Sequence, residues 1–74
     1  MTILEAAIEI LKKNQSPMSV KEIYDGIIER GLYQFGAKSP RSVLSGTLRG
    51  HIKKSPAPQI VEDSSGVYRI AGMQ

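Results

Sequence analysis

Three stretches of helical period, then two short β-branched runs around a glycine-containing turn, predict an α+β fold of three helices closed by a C-terminal β-hairpin. The chain has 74 residues, enough for one small domain, taken as 1–74, with only a modest core. It has no cysteine, which excludes disulfides, thiolate metal sites and thiol nucleophiles. Its single histidine, His51, builds neither a zinc site nor a catalytic triad alone. No enzyme, cofactor or metal is therefore expected, and the arithmetic favours a binding module.

Thr2 to Asn14 reads as the first helix. Thr2 and Glu5 stand in capping-box spacing, and Ile3, Leu4, Ala7, Ile8 and Leu11 mark its expected buried stripe. Lys12 and Lys13 suit its carbonyl end, and Asn14-Gln15-Ser16-Pro17 breaks it. Ser19 and Glu22 repeat the capping box at the start of the second helix. Val20, Ile23, Tyr24, Ile27 and Ile28 form its apolar face, with Glu22, Asp25 and Glu29 opposite. Gly31 is the expected left-handed C-cap. Pro17-Met18-Ser19 leaves room for a short third strand near Met18. The connector Gly31–Lys38 is apolar for a loop: Leu32, Tyr33 and Phe35 are expected to close over the core, and Gly36 to supply a turn.

The third helix is expected over 40–54, with Ser39 as N-cap and Pro40 as first helical residue. Leu44, Leu48 and Ile52 should face inward, with Val43 and Thr47 beside them. Ser42, Ser45, Gly46, Arg49 and Lys53 fall on the opposite side. Gly46 and Gly50 each cost a helix about 1 kcal/mol relative to alanine. Close helix packing, close approach of a ligand, or drift would account for them. His51, near the apolar side, is read as structural, packing its ring and capping a carbonyl. Ser55-Pro56-Ala57-Pro58 ends the helix. Gln59–Glu62 and Val67–Ile70 then read as strands around the turn Asp63-Ser64-Ser65-Gly66. Ile60, Tyr68 and Ile70 are placed inward, and Met73 and Gln74 are expected to fray. Helix, short strand, helix, helix, hairpin is the order of a small winged helix-turn-helix. The short strand would supply the third strand that a hairpin needs for stability.

The net charge is +3, and its distribution is informative. Residues 1–37 carry five acids and four bases, and residues 55–74 two acids and one base. Residues 38–54 carry Lys38, Arg41, Arg49, Lys53 and Lys54 with no acid. All the excess positive charge thus lies on or beside the third helix, as a surface that meets a polyanion requires. Lys38 and Arg41 flank the helix start, where free amides also favour an anion. Ser39, Ser42 and Ser45 can donate to phosphates or bases. Arg49 and Lys53 stand four apart on one face. The candidate DNA-binding set is therefore Lys38, Ser39, Arg41, Ser42, Ser45, Arg49, Lys53 and Lys54. No apolar run is long enough to span a bilayer, and no secretory signal is read, so no membrane partner and an intracellular setting are expected.

Several stretches together resemble the HARE-HTH domain. They are the first-helix LEAAIEIL, the run Pro17-Met18-Ser19-Val20-Lys21-Glu22-Ile23-Tyr24, the connector ending Ser39-Pro40, Leu44 with Leu48, and Gly66-Val67-Tyr68-Arg69-Ile70. That family is a winged helix found at the N-termini of some bacterial restriction-type endonucleases, in eukaryotic chromatin proteins and in the delta subunit of bacterial RNA polymerase. The resemblance covers nearly the whole chain. It implies duplex DNA as partner and a role in targeting or regulating a linked activity, including transcription, through a fused or partner protein domain. Two features depart from DNA-binding wings: Glu62 and Asp63 at the hairpin tip, and two glycines in the third helix. The rival reading is a protein-interaction winged helix docking through the acidic second helix or the aromatic connector. The sequence leaves the oligomeric state open.

Overall fold

The computed structural model describes residues 1–72 and contains α1 (Ile3–Asn14), β1 (Met18–Ser19), α2 (Val20–Arg30), α3 (Pro40–Lys54), β2 (Ile60–Ser64) and β3 (Val67–Ile70). Met73 and Gln74, expected to fray, lie outside the described residues. Both capping boxes form. The Thr2 hydroxyl accepts the Glu5 amide at 3.1 Å, and the Glu5 carboxylate accepts the Thr2 amide at 2.8 Å. Ser19 and Glu22 exchange the same pair of bonds at 3.2 and 2.9 Å. Each box satisfies two helix-end donors that have no partner within the helix. The α2 helix ends at Gly31 in the left-handed region (φ 65°), where glycine carries no Cβ penalty. The α1 helix ends on a left-handed Gln15 (φ 57°), a non-glycine residue in a glycine conformation.

The three strands form one antiparallel sheet in the order β1-β3-β2. Met18 stands opposite Tyr68 and Ser19 opposite Val67, so the expected short strand completes the sheet. Ser19 thus belongs to the sheet and caps α2 at once. The hairpin is longer on its first arm than its sequence suggests. Strand β2 runs from Ile60 to Ser64 and bulges between Glu62 and Ser64, leaving a two-residue turn at Ser65-Gly66 with Gly66 at φ 76°. The extra residue in the bulge, Asp63, is accommodated by local twist rather than by lengthening the turn.

The core is Ala6, Ala7, Ile10 and Leu11 of α1, Ile23 and Ile27 of α2, Leu44 and Leu48 of α3, and Ile60 and Tyr68 of the hairpin. The buried face of α1 is therefore rotated from the expected stripe. Ala6 and Ile10 are buried, while Ile3, Leu4 and Ile8 only pack around the margin. The rotated face meets α2 closely at Gly26. A Cβ there would lie 3.0 Å from Ile10 Cγ2, so the missing side chain lets α2 come down on the Ile10 face of α1. Gly46 and Gly50 make no such contact: an added Cβ at either would meet open space. Ile28, assigned to the apolar face of α2, is 47% exposed, and Val43 is 39% exposed. Leu32, Tyr33 and Phe35 close over the core as expected, with Phe35 packed between Tyr24 and Tyr33 at ring separations of 5.2 and 4.9 Å. Gly36 does not make the turn. Its φ is not positive, and the chain bends at residues 37–39 on entering α3.

Candidate nucleic-acid interface

The α3 helix buries only Leu44 and Leu48, which leaves most of its circumference outside the core. Ser39 precedes it as expected but caps through its backbone. Its carbonyl accepts the Ser42 and Val43 amides at 3.0 and 3.2 Å, and its hydroxyl makes no capping bond. With φ −119° and ψ 73°, Ser39 is outside the extended geometry that aims a capping hydroxyl back at the first turn. At the far end, His51 is structural, with the opposite polarity to that expected. Its Nε2 accepts the Gln59 amide at 3.0 Å, just before β2, so the ring tethers the wing to α3 instead of capping a carbonyl.

Seven of the eight candidate DNA-binding residues divide among three neighbouring surfaces. Arg41, Ser42, Ser45 and Arg49 line an open groove whose other wall is the start of α2, including Lys21, and the wing turn at Gly66. Three cations face this groove and no carboxylate lines it. Lys38 and Ser39 sit around the corner, in a hollow at the start of α3 that also takes in Lys21 and Asp25. Lys54 lies on the opposite flank of α3, beside Gly46, Gly50 and His51. Lys53 is exposed and lines none of these hollows. Lys21 is not among the candidates that the sequence singles out. It becomes part of the basic surface because α2 and α3 pack against each other, which no local pattern announces.

Two contacts modify the electrostatics. Lys21 Nζ pairs with Asp25 Oδ2 at 3.0 Å, one helical turn away and well exposed, so this acid is directed at a lysine of its own helix. Glu22 is engaged in the α2 cap. The acidic face of α2 therefore keeps Glu29 as its one carboxylate outside these contacts. At the wing tip, Glu62 accepts the Gly66 amide at 2.9 Å, and Asp63 pairs with Arg69 at 3.2 Å. Both acids that would oppose phosphate are bound within the hairpin.

Arg49 has a second neighbour on the wing. The Tyr68 hydroxyl, above all, and Glu62 more distantly raise the Arg49 guanidinium above its ordinary range. No hydrogen bond joins the two: the buried Tyr68 hydroxyl has no hydrogen-bond partner. Among the described residues, no group of three or more histidines, cysteines, aspartates or glutamates could hold a metal ion. No helix of the described residues is long and apolar enough to cross a membrane.

Three helices on one core, with the third left open beside a β-hairpin that a short strand ties to the second, define a winged helix-turn-helix domain. The chain belongs to the HARE-HTH family, whose sequence model matches residues 1–72 and whose description names ASXL and restriction endonuclease among the carriers of this HTH domain. This is a family of DNA-binding helix-turn-helix domains. No curated protein and no solved structure matches the chain.

Proposed function

We propose that the domain binds duplex DNA with α3 in the major groove and delivers or regulates an activity on a linked or partner protein. The observation that carries this reading is the acid-free groove in which Arg41, Ser42, Ser45 and Arg49 of α3 meet Lys21 of α2 and the wing turn at Gly66. A helix fits the major groove, and basic and hydroxyl groups on either side of it can take phosphates and base edges. Lys38 and Ser39 extend the surface towards one backbone strand, and Lys53 and Lys54, outside the groove near the far end of α3, add to the positive field. Family membership supports DNA as the partner. The rival protein-docking surface on α2 is weakened by the internal engagement of Asp25 and Glu22.

The test is a duplex titration over a range of salt. Release of about four to five counterions predicts a log–log slope near −4 and weak, micromolar or poorer, binding. The largest amide shifts should fall in residues 38–54 and at Lys21. Affinity that is flat with salt, or shifts centred on Glu22, Asp25 and Glu29, would favour protein docking instead.

A further inference from the structure

The wing is fastened to the helices on two sides. On one side Ser19, the N-cap of α2, stands opposite Val67 of the central strand β3. On the other, the Gln59 amide, one residue before β2, donates to His51 Nε2 of α3 at 3.0 Å. The Gln59 carbonyl in turn accepts the Ala71 amide at 2.9 Å, one residue after β3. The His51 ring therefore holds the root of both hairpin arms through a single residue. Strand β2 is the outer strand of the sheet. It runs from that root towards the turn over five residues, about 16 Å. At the far end of this arm, Gly66 walls the groove that Arg41, Ser42, Ser45 and Arg49 line. A small change of angle at the root thus displaces that wall.

A backbone amide can only donate, so Nε2 must present a lone pair and the ring proton must sit on Nδ1. A protonated imidazole has N–H on both nitrogens and cannot accept. No carboxylate lines the hollow beside the ring to receive an imidazolium: α1 contributes Leu4, and Lys54 of α3 is the one charged side chain there.

We propose that His51 is a positioning residue for duplex binding: its neutral ring pins the root of the wing to α3 and so fixes the groove between Arg49 and Gly66. This rests on the duplex-binding reading of α3. In this role His51 acts through Gln59 and needs no contact with nucleic acid. A wing without the pin must be ordered again each time duplex binds, and that ordering is taken from the affinity. Proton uptake by the ring removes the acceptor and releases the pin.

His51→Gln keeps a neutral acceptor at similar reach, and His51→Leu keeps bulk without one. Duplex affinity is measured by anisotropy at fixed salt and about pH 8, where an ordinary histidine is neutral. His51→Leu should weaken binding about two- to tenfold, the worth of one hydrogen bond, and His51→Gln should restore most of that loss. Circular-dichroism melts establish that each variant is folded at the assay temperature. Equal binding by folded His51→Leu and the parent, or an equal loss in His51→Gln and His51→Leu, would overturn the proposal. A second measurement needs no DNA. In nitrogen-labelled parent, the Gln59 and Ala71 amide signals should move together as pH falls from about 8 to about 5, the range in which histidine ordinarily gains its charge. His51 is the sole histidine, and His51→Gln, in which the same signals should stay in place, controls for the amino terminus and the carboxylates. Signals in the parent that move no more than in His51→Gln overturn the pin whatever the duplex does. Signals that move, with no duplex binding by the parent, overturn the positioning role through failure of the duplex reading alone.

Discussion

Replacing the glycines of the helices by alanine, one at a time, should separate three sites that look alike in the sequence. At Gly46 and Gly50 the new methyl group enters open space. The helix-propensity gain of about 1 kcal/mol is then unopposed at each. For a domain of this size that corresponds to a rise of about 4–8 °C in Tm. At Gly26 the same gain meets the Ile10 side chain, with Cγ2 at 3.0 Å and Cδ1 at 3.2 Å from the added Cβ. Ile10 is only 4% exposed and cannot swing into solvent. Overpacking of this kind costs about 1–3 kcal/mol, so Gly26→Ala should be neutral to destabilising by about 2 kcal/mol. Thermal and urea melts followed by circular dichroism read all three. Stabilisation by Gly26→Ala equal to the others would refute the close approach of α1 and α2. Destabilisation by Gly46→Ala or Gly50→Ala would refute the open outer face of α3. Duplex titration of the same two variants adds a functional arm. If α3 lies deep in the groove, affinity falls severalfold while stability rises, and unchanged affinity removes the glycine row from the contact.

Leu48→Ala should cost roughly 2–5 kcal/mol, because Leu48 is wholly buried, and a melt should show a domain close to unfolding. Lys53→Ala should move stability by no more than about 0.5 kcal/mol and weaken duplex binding severalfold, since Lys53 is exposed on α3. Ser19→Ala should lower stability by about 1 kcal/mol through loss of the α2 cap, measured by urea midpoint. The amides of Thr2 and Ser19, then their hydroxyls, hold the Glu5 and Glu22 carboxylates below the ordinary glutamate range. A depressed folded-state pKa contributes stability above the unfolded value, and that contribution is lost as pH falls through the folded value. Melts should therefore show acid destabilisation between the ordinary glutamate range and lower pH, blunted in the Glu5→Gln, Glu22→Gln double variant.

Local chemistry was the legible part of the sequence. Both capping boxes, the glycine C-cap of α2 and the proline start of α3 are set by residues within four positions of one another. The rotation of α1 was not legible in this way. Its apolar residues cover a wide arc, so periodicity gives the helix but not the centre of the buried face, which meets another element closely at Gly26. The Ser39 cap depended on backbone angles that composition does not reveal. Of the candidate interface, the cations of α3 could be counted from the sequence. Lys21, the Gln59–His51 bond and the Tyr68–Arg49 proximity arise only when elements distant in sequence come together.

Ser19 does two jobs with one set of atoms: its backbone is in register with Val67, and its hydroxyl takes the Glu22 amide. The spacing between sheet and helix is therefore zero residues, and the joint has no slack. One residue inserted between Met18 and Val20 would force a choice between strand pairing and the cap, and would turn every later side chain of α2 by about 100°. The wing turn at Ser65-Gly66 and the exposed pair Pro56-Ala57 have no such double duty, apart from the Gly66 amide bound to Glu62. Length variation among chains of this architecture should therefore collect at the turn and at the approach to β2. The junction at Ser19 should stay fixed in length, so it is the reliable anchor for aligning such chains, and the turn is the better place to graft a tag or a probe.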